Sequence, residues 1–413
     1  MTTSDSLDDA TTSHPATAAE RPDDFDPGRT DDPDEIHALY KNLRSRCPVA
    51  HTSAHGGFWA LTRYADVAAA AADSRRFISS VRAVVPSDPR GLRRPPLNFD
   101  APDHTPYRRA LDRTLQRRRL ERLEPAVREH ARREIGRMLG AGGGDLAAEF
   151  GTLLPAWATS EWLNLAPDIA PVLAETSAAW VAAWRTADRR TVNTMSERMY
   201  DIARELVADR GRRPLEPEQD PASSLLAERL DGEPLDPEQI VAALRQSLVV
   251  GMVAPPIILG AVCHHLSDHR NLQDALRAHP EDIPAAVEEF VRLYTPYRGF
   301  ARTVREELVI HDRTIRPEEP VTLVYASANR DPEVFPDPDE FRLNRPNIHQ
   351  HLGFGRGRHQ CAGMPLARMI LRVGLQELLA ATADIVTQRV PGGAAMPELG
   401  PTSVPARLVA RSG

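Results

Sequence analysis

The stretch Phe354-Gly355-Arg356-Gly357-Arg358-His359-Gln360-Cys361-Ala362-Gly363 carries residue types suited to holding a metal through one thiolate. Cysteine is scarce, with only Cys47, Cys263 and Cys361 in 413 residues. Of the three, only Cys361 sits in a glycine-punctuated loop that runs into a helical pattern, Met364 to Ala380. A cysteine sulfur binds metal as the thiolate, and nearby backbone N–H groups, positive charge and a helix N-terminus all favour that form. Gly355 and Gly357 open backbone angles closed to other residues, so the loop can curl and turn amides toward the sulfur. Arg358 and His359 suit carboxylates on whatever carries the metal. Gly363, at the helix start, lets that helix pass close to a flat cofactor. The competing reading is an inert thiol beside an ordinary turn, and six fixed residues at fixed spacing weigh against it.

At these residues the chain resembles the cytochrome P450 family, whose motif is Phe-Gly-x-Gly-x-His-x-Cys-x-Gly. Leu366-Ala367-Arg368 also fits the bacterial members, although Ile370 stands where they usually carry Glu. The resemblance implies haem b, with Cys361 as axial iron ligand and Phe354, Gly355 and Gly363 shaping the loop around it. It extends upstream. Glu289-Phe290-Val291-Arg292 fits a Glu-x-x-Arg pair, three apart on one helix face and able to ion-pair. Gly299-Phe300-Ala301-Arg302 looks like the segment whose arginine meets a haem propionate, with Phe300 near the substrate. Asp103-His104-Thr105-Pro106-Tyr107-Arg108 resembles the helix entrance where His104 and Arg108 would hold the other propionate. Asn329-Arg330-Asp331-Pro332 and Phe335-Pro336-Asp337-Pro338 match the meander before the cysteine loop. Family members often place an arginine where this chain has Glu340, and Arg342 or Arg345 could substitute as third partner of Glu289 and Arg292.

The chain is expected to be mostly helix. Asp236-Pro237-Glu238-Gln239 is a helix start, with Asp236 as N-cap, Pro237 in the first turn and Gln239 able to complete a capping box. A helix from Pro237 to His265 would be roughly 40 Å long and could cross the whole molecule. Strand-like runs are short: Phe58 to Thr62, Leu308 to His311, Val321 to Tyr325 and Ala406 to Ala410. The expected fold is mainly α with small β-sheets, the cytochrome P450 fold in one large domain over 36–413.

Residues 1–35 are rich in Asp, Thr, Ser and Pro, so a disordered acidic tail is expected there. The remainder has no linker, no internal repeat and no run expected to span a bilayer. A cytoplasmic, monomeric protein is expected, and three cysteines without pairing spacing suit a reducing compartment. Net charge is −7, which argues against nucleic acid. Lys41 is the only lysine among 51 basic residues, an arginine bias of the kind a GC-rich bacterial genome produces.

The long helix departs from the family pattern. Typical monooxygenases carry there an acid and an alcohol that deliver protons for dioxygen activation. The aligned segment is Val250-Gly251-Met252-Val253-Ala254-Pro255-Pro256, with Val253 in the acid's place and Ala254 in the alcohol's. Pro255 and Pro256 have no N–H, so the carbonyls of Gly251 and Met252 lose their helical partners, and a kink is expected. Those carbonyls can hold water, or the prolines simply bend the helix around a packed core.

The resemblance therefore implies a monooxygenase that hydroxylates or epoxidises a small or carrier- or peptide-bound secondary metabolite. It also leaves open oxidative coupling or ring closure, a peroxide-driven or non-oxygenating rearrangement, and a haem sensor without turnover. With no flavin-binding segment expected, electrons would come from NAD(P)H through an external ferredoxin and reductase. Arg109, Arg113, Arg117, Arg356 and Arg358 form the basic patch expected to receive that acidic partner. The pocket is expected to include Phe300, Val250 and the loop Ser79 to Asn98, which carries Arg82, Arg90, Arg93 and Arg94. These arginines suit a carboxylate, phosphate or carrier-bound substrate, or are solvated surface. Trp180 and Trp184 either face a channel or belong to the core.

Overall fold

A computed structural model describes residues 22–86, 93–388 and 392–411. Its centre is the helix Pro237–Asp268, whose Asp236 side chain caps the Glu238 and Gln239 amides at 2.8 and 3.1 Å. Gln239 does not close a capping box; its Oε1 accepts from Tyr107 Oη at 2.8 Å, tying the helix start to the helix His104–Thr114. The helix assignment runs unbroken through Pro255 and Pro256. Around it pack Gly151–Trp162, Ile169–Arg185, Arg189–Arg212 and Met364–Ala381, and the last of these lies along Arg117–Gly140. Their inward faces form one large apolar core that includes Leu244, Leu248, Leu259, Phe150 and Leu375.

By length and composition alone, Pro237–Asp268 could cross a bilayer, contrary to the expectation that no run would. Of its most apolar stretch 71% is buried, so the hydrophobicity is that of a core helix.

The β structure is peripheral. A five-stranded sheet runs in the order Val49–Thr52, Phe58–Leu61, Pro320–Leu323, Phe300–Val304, Phe77–Ile78. Pro320–Leu323 is parallel to Phe58–Leu61 and antiparallel to Phe300–Val304, with Val321 opposite Arg302. This pairing delivers Phe300 and Arg302 to the molecule's interior. The expected strands are all present within a residue or two of their predicted ends.

Residues 22–35, expected to belong to a disordered tail, are part of the fold. Residues 1–21 lie outside the described residues, whereas Phe25 is buried edge-on against Phe58, and Asp32 caps the helix Pro33–Arg46. Arg298, itself buried, donates to Pro27 O at 2.7 Å. A single aromatic and a buried arginine secure a segment that is otherwise polar.

The Glu289 carboxylate is fully buried with Arg292 and Arg345. Arg292 donates from Nε and Nη2 at 2.8 and 2.7 Å. Arg345 donates from Nε to both oxygens at 3.0 and 3.2 Å, and the Arg342 amide adds a contact at 3.0 Å. Arg345 is thus the third partner, and Glu340 takes part only through its carbonyl, which accepts from Arg292 and Arg345. Removing one member of such a buried cluster strands the others' charge. Glu289→Gln is therefore expected to lower unfolding free energy by about 3–5 kcal/mol, read from a urea transition; an unchanged midpoint would show that the cluster contributes nothing.

His265 stacks on His269 at 4.0 Å and shares a 2.6 Å hydrogen bond with Tyr294 Oη. Burial, then the neighbouring His269 and His264, push its pKa down from 6.5 to about 4. Below the higher value the unfolded chain binds a proton that the folded protein refuses, so stability is lost as pH falls between the two. The drop in urea midpoint between about pH 7.5 and about pH 5 should shrink in His265→Phe. An identical drop in both proteins would assign the acid sensitivity elsewhere.

Candidate active site

The cysteine loop is fixed from several sides. Cys361 N donates to Phe354 O at 2.8 Å, closing the loop on itself. Gly357 has φ +75°, and a Cβ there would lie 2.3 Å from Ala71 O, so glycine is required both by conformation and by space. Arg108 reaches across from the helix His104–Thr114 to the carbonyls of Gln360 and Arg358 at 2.5 and 3.2 Å, while its Nε pairs with Asp112 at 2.7 Å. Arg368 lies over the Phe354 ring at 5.1 Å.

Cys361 opens onto a cavity of about 570 Å³. Burial raises its thiol pKa, while the Gly363 and Met364 amides and the charges of Arg108 and Arg368 pull it down. A metal at the sulfur would complete the deprotonation. A Cβ on Gly363 would lie 3.9 Å from Cys361 Sγ, so protein packing alone does not demand glycine there.

Across the cavity lies the middle of the central helix, with Gly251, Val253, Ala254 and Pro255 on the wall. Val250 belongs to the same helix, and its side chain lies outside the described residues. At Val253, Ala254 and Pro255 this wall is apolar. The nearest hydroxyl comes from a different helix: Thr159 Oγ1 would stand 2.8 Å from a Cβ placed on Gly251.

The rim holds two buried nitrogens without hydrogen-bond partners, His104 Nδ1 and His359 Nε2. Their rings meet edge to face at 4.6 Å. His359 Nε2 stands 3.6 Å from Asp100 Oδ1, beyond hydrogen-bond length but close enough to feel its charge. Burial, followed by His359 and Arg108, pushes His104 down to about 3. Burial likewise lowers His359. Asp100 is half-buried, and the His359 ring and the Ser79 and Ser80 amides hold its carboxyl well below the usual range. Arg302, 4% exposed, lines the same wall and donates to Ala301 O at 2.7 Å beside Tyr325. One thiolate, orphaned imidazole nitrogens and buried guanidinium groups suit a flat, metal-bearing cofactor with acidic side arms.

Of the residues expected at the cavity, Phe300, Phe354, Gly355, Arg82, Arg93 and Arg94 lie on its wall, whereas Val85 in the same loop packs into an apolar cluster instead. Arg90 lies outside the described residues. Trp180 and Trp184 also face the cavity, stacked at 5.9 Å and 9°. Glu289 and Arg292 do not, since they stand behind the loop in the core. The basic patch is weaker than expected, because Arg109 and Arg113 share the buried carboxylate of Glu228 and Arg117 pairs with Glu121. Sequence reading missed Thr159, Tyr297, Tyr325, Glu398 and Arg245 on the wall. Arg245 had a signal, being the one charge between Ile240 and Val262, a run whose other polar side chains are Gln246 and Ser247; the others had none.

The cytochrome P450 family model matches residues 258–381. The mycinamicin IV hydroxylase/epoxidase of Micromonospora griseorubida is 32% identical over 376 residues, covering 87% of this chain and 90% of its own. The cyclomarin C epoxidase CymV of Salinispora arenicola is 28% identical over 366 residues, covering 86% and 91%. Among solved structures, a Mycobacterium marinum cytochrome P450 in complex with pseudoionone superposes with TM-score 0.85 at 26% identity, covering 94% of this chain and all of that one. A relative of such identity along nearly its whole length, joined to a thiol facing a deep cavity beneath a long central helix, means that this chain belongs to the cytochrome P450 family and is a haem-dependent monooxygenase.

Proposed function

We propose that this enzyme hydroxylates or epoxidises a secondary metabolite without an acid–alcohol pair in its distal helix. Cys361 is the iron's thiolate ligand, and His104, Arg108, Arg302 and His359 receive the propionates of haem b. Support comes from one observation above all: a lone sulfur opening to a cavity of about 570 Å³ whose rim carries two buried, unpartnered imidazole nitrogens. Three of the relatives bear hydroxylase or epoxidase names, for mycinamicin IV, cyclomarin C and erythromycin. Haem b bound there would supply an iron that activates dioxygen.

The chain's own residues must bring protons and hold substrate. Val253 and Ala254 carry no exchangeable proton. The carbonyls of Gly251 and Met252, deprived of helical partners by Pro255 and Pro256, are free to accept from ordered water. Thr159 brings a hydroxyl to the same turn, and Ser247, one turn earlier, bonds Ala243 O at 3.0 Å. Protons therefore reach the reacting oxygen through water or from a group on the substrate. Phe300 and the two stacked indoles offer an apolar wall for the substrate body.

Electrons come from NAD(P)H through a ferredoxin and its reductase. A surface depression beside the cysteine loop, lined by Arg108, Arg109, Arg113 and Arg358, supports an acidic partner there. Arg358 is exposed, whereas Arg109 and Arg113 are shared with Glu228, so Arg358 carries more of that attraction. The protein works as a cytoplasmic monomer in this reading.

The apolar Val253-Ala254 pair also favours a second reading, coupling, ring closure or a peroxide-driven reaction that needs no proton relay from the helix. Two experiments test these assignments. Cys361→Ser should fold yet lose the thiolate signature in the carbon monoxide difference spectrum, and an intact signature would move the ligand elsewhere. Ala254→Thr should leave the coupling of reductant use to product within about twofold of wild type. A gain of about tenfold would overturn a water- or substrate-borne relay, and faster product formation with hydrogen peroxide alone would favour the second reading.

A further inference from the structure

One part of the cavity wall carries polar groups that neither the cysteine loop nor the rim uses. Tyr297 and Glu398, both on that wall, form an isolated antiparallel bridge. Leu399 N donates to Pro296 O at 3.0 Å and Arg298 N donates to Pro397 O at 2.8 Å. Hydrogen bonds that flank the bridged residues mark the closer type of antiparallel pair, whose two side chains stand on one face. The phenol and the carboxylate are therefore neighbours.

Glu398 is 3% exposed, and it is the single carboxylate among the described lining residues. Arg185 donates to it from Nε at 3.1 Å and from Nη2, both to Oε2. Among the described residues nothing donates to Oε1, and the Tyr297 hydroxyl has no hydrogen-bond partner either. Both oxygens keep accessible surface. Burial, then the charges of Glu398 and Cys361, push the Tyr297 phenol up, so it keeps its proton and can donate.

An open carboxylate oxygen beside a protonated phenol can accept one hydrogen bond and donate another, which is the complement of an alcohol. Arg185 already balances the carboxylate's charge, and apart from two histidines the other charged lining side chains are arginines. The place therefore suits a neutral donor rather than a cation. Its surroundings are aromatic. Phe300 lies against Tyr297 at 5.0 Å and 59°, and Trp184, stacked on Trp180, directly precedes Arg185. An apolar body has rings to lie on beside the polar pair.

We propose that the substrate bears an alcohol that docks between these two residues, donating to Glu398 Oε1 and accepting from Tyr297 Oη, with its apolar body on Trp180, Trp184 and Phe300. Arg185 is a positioning residue that holds the carboxylate by its other oxygen. An analogue that cannot donate leaves the carboxylate oxygen desolvated and unpaired, so the site discriminates against it. The inference rests on reading the cavity as the substrate chamber of a monooxygenase, and it names the head group that chamber selects.

The test is equilibrium binding of three probes to the ferric holoenzyme, by calorimetry and by the Soret shift. Decanol donates and accepts, its isomer methyl nonyl ether only accepts, and decylguanidinium donates but carries a charge. Decanol should bind about tenfold or more tightly than the ether, and more tightly than the guanidinium, with a shift to high spin. The preference over the ether should fall to within about twofold in Glu398→Met and drop by about threefold in Tyr297→Phe, which removes only the hydroxyl. Each variant is first checked for a wild-type Soret spectrum, and if Glu398→Met fails to load haem, Tyr297→Phe decides. Equal binding of alcohol and ether, tighter binding of the guanidinium, or a preference unchanged in either variant that loads haem overturns the proposal. So does a bound alcohol that leaves the iron low-spin, because its hydroxyl is then on the metal. In each of those cases a probe still enters the cavity and the monooxygenase reading stands, whereas no binding by any probe overturns the chamber reading and the proposal together.

Discussion

The Glu289 carboxylate, buried between Arg292 and Arg345, is the interaction on which the placement of the cysteine loop depends. A charge taken out of water must be met by opposite charge and hydrogen bonds, or it destabilises the fold by several kcal/mol. Glu289 meets that demand by drawing together a helix, Ile283–Leu293, and an irregular segment that has no secondary structure of its own to hold it. The guanidinium groups then use their remaining N–H donors on carbonyls of that segment, including Asn329, Pro336 and Pro338. Asn329 passes the order forward, accepting from the Leu352 amide at 2.6 Å and donating to Thr295 Oγ1 at 2.7 Å. Leu352 leads directly into the loop that carries Cys361.

The central helix imposes the second constraint. Elsewhere along its length it is packed as closely as backbone allows: a Cβ on Gly151 would lie 2.8 Å from Pro256 Cα, and one on Gly260 would lie 2.8 Å from Ala147 Cβ. Interiors packed to that density do not leave a void of about 570 Å³ by accident. The space persists because the elements around it are fixed to one another rather than to its contents.

The chemistry-bearing loop was readable residue by residue, because glycines at φ-restricted positions and a lone thiol leave a spacing that few other constraints produce. Helices and strands were readable from periodicity and from local signals such as the Asp236 cap and Pro237. Two local signals misled. The acidic composition of residues 22–35 hid the anchoring by Phe25 and Arg298, and Gln239, suited to a capping box, instead bonds Tyr107. In both cases a contact more than 100 residues away in sequence outweighed the local preference.

The cysteine loop and the central helix were legible in the sequence alone. These follow from short-range chemistry: which residues can adopt a backbone angle or ligate a metal. Only the tertiary structure decided that Arg345 completes the Glu289 cluster, that Glu228 engages Arg109 and Arg113, and that Tyr297 and Glu398 meet on the cavity wall. An ion pair or a cavity wall depends on side chains from distant elements meeting in a low-dielectric interior, and no spacing within a single segment encodes that meeting.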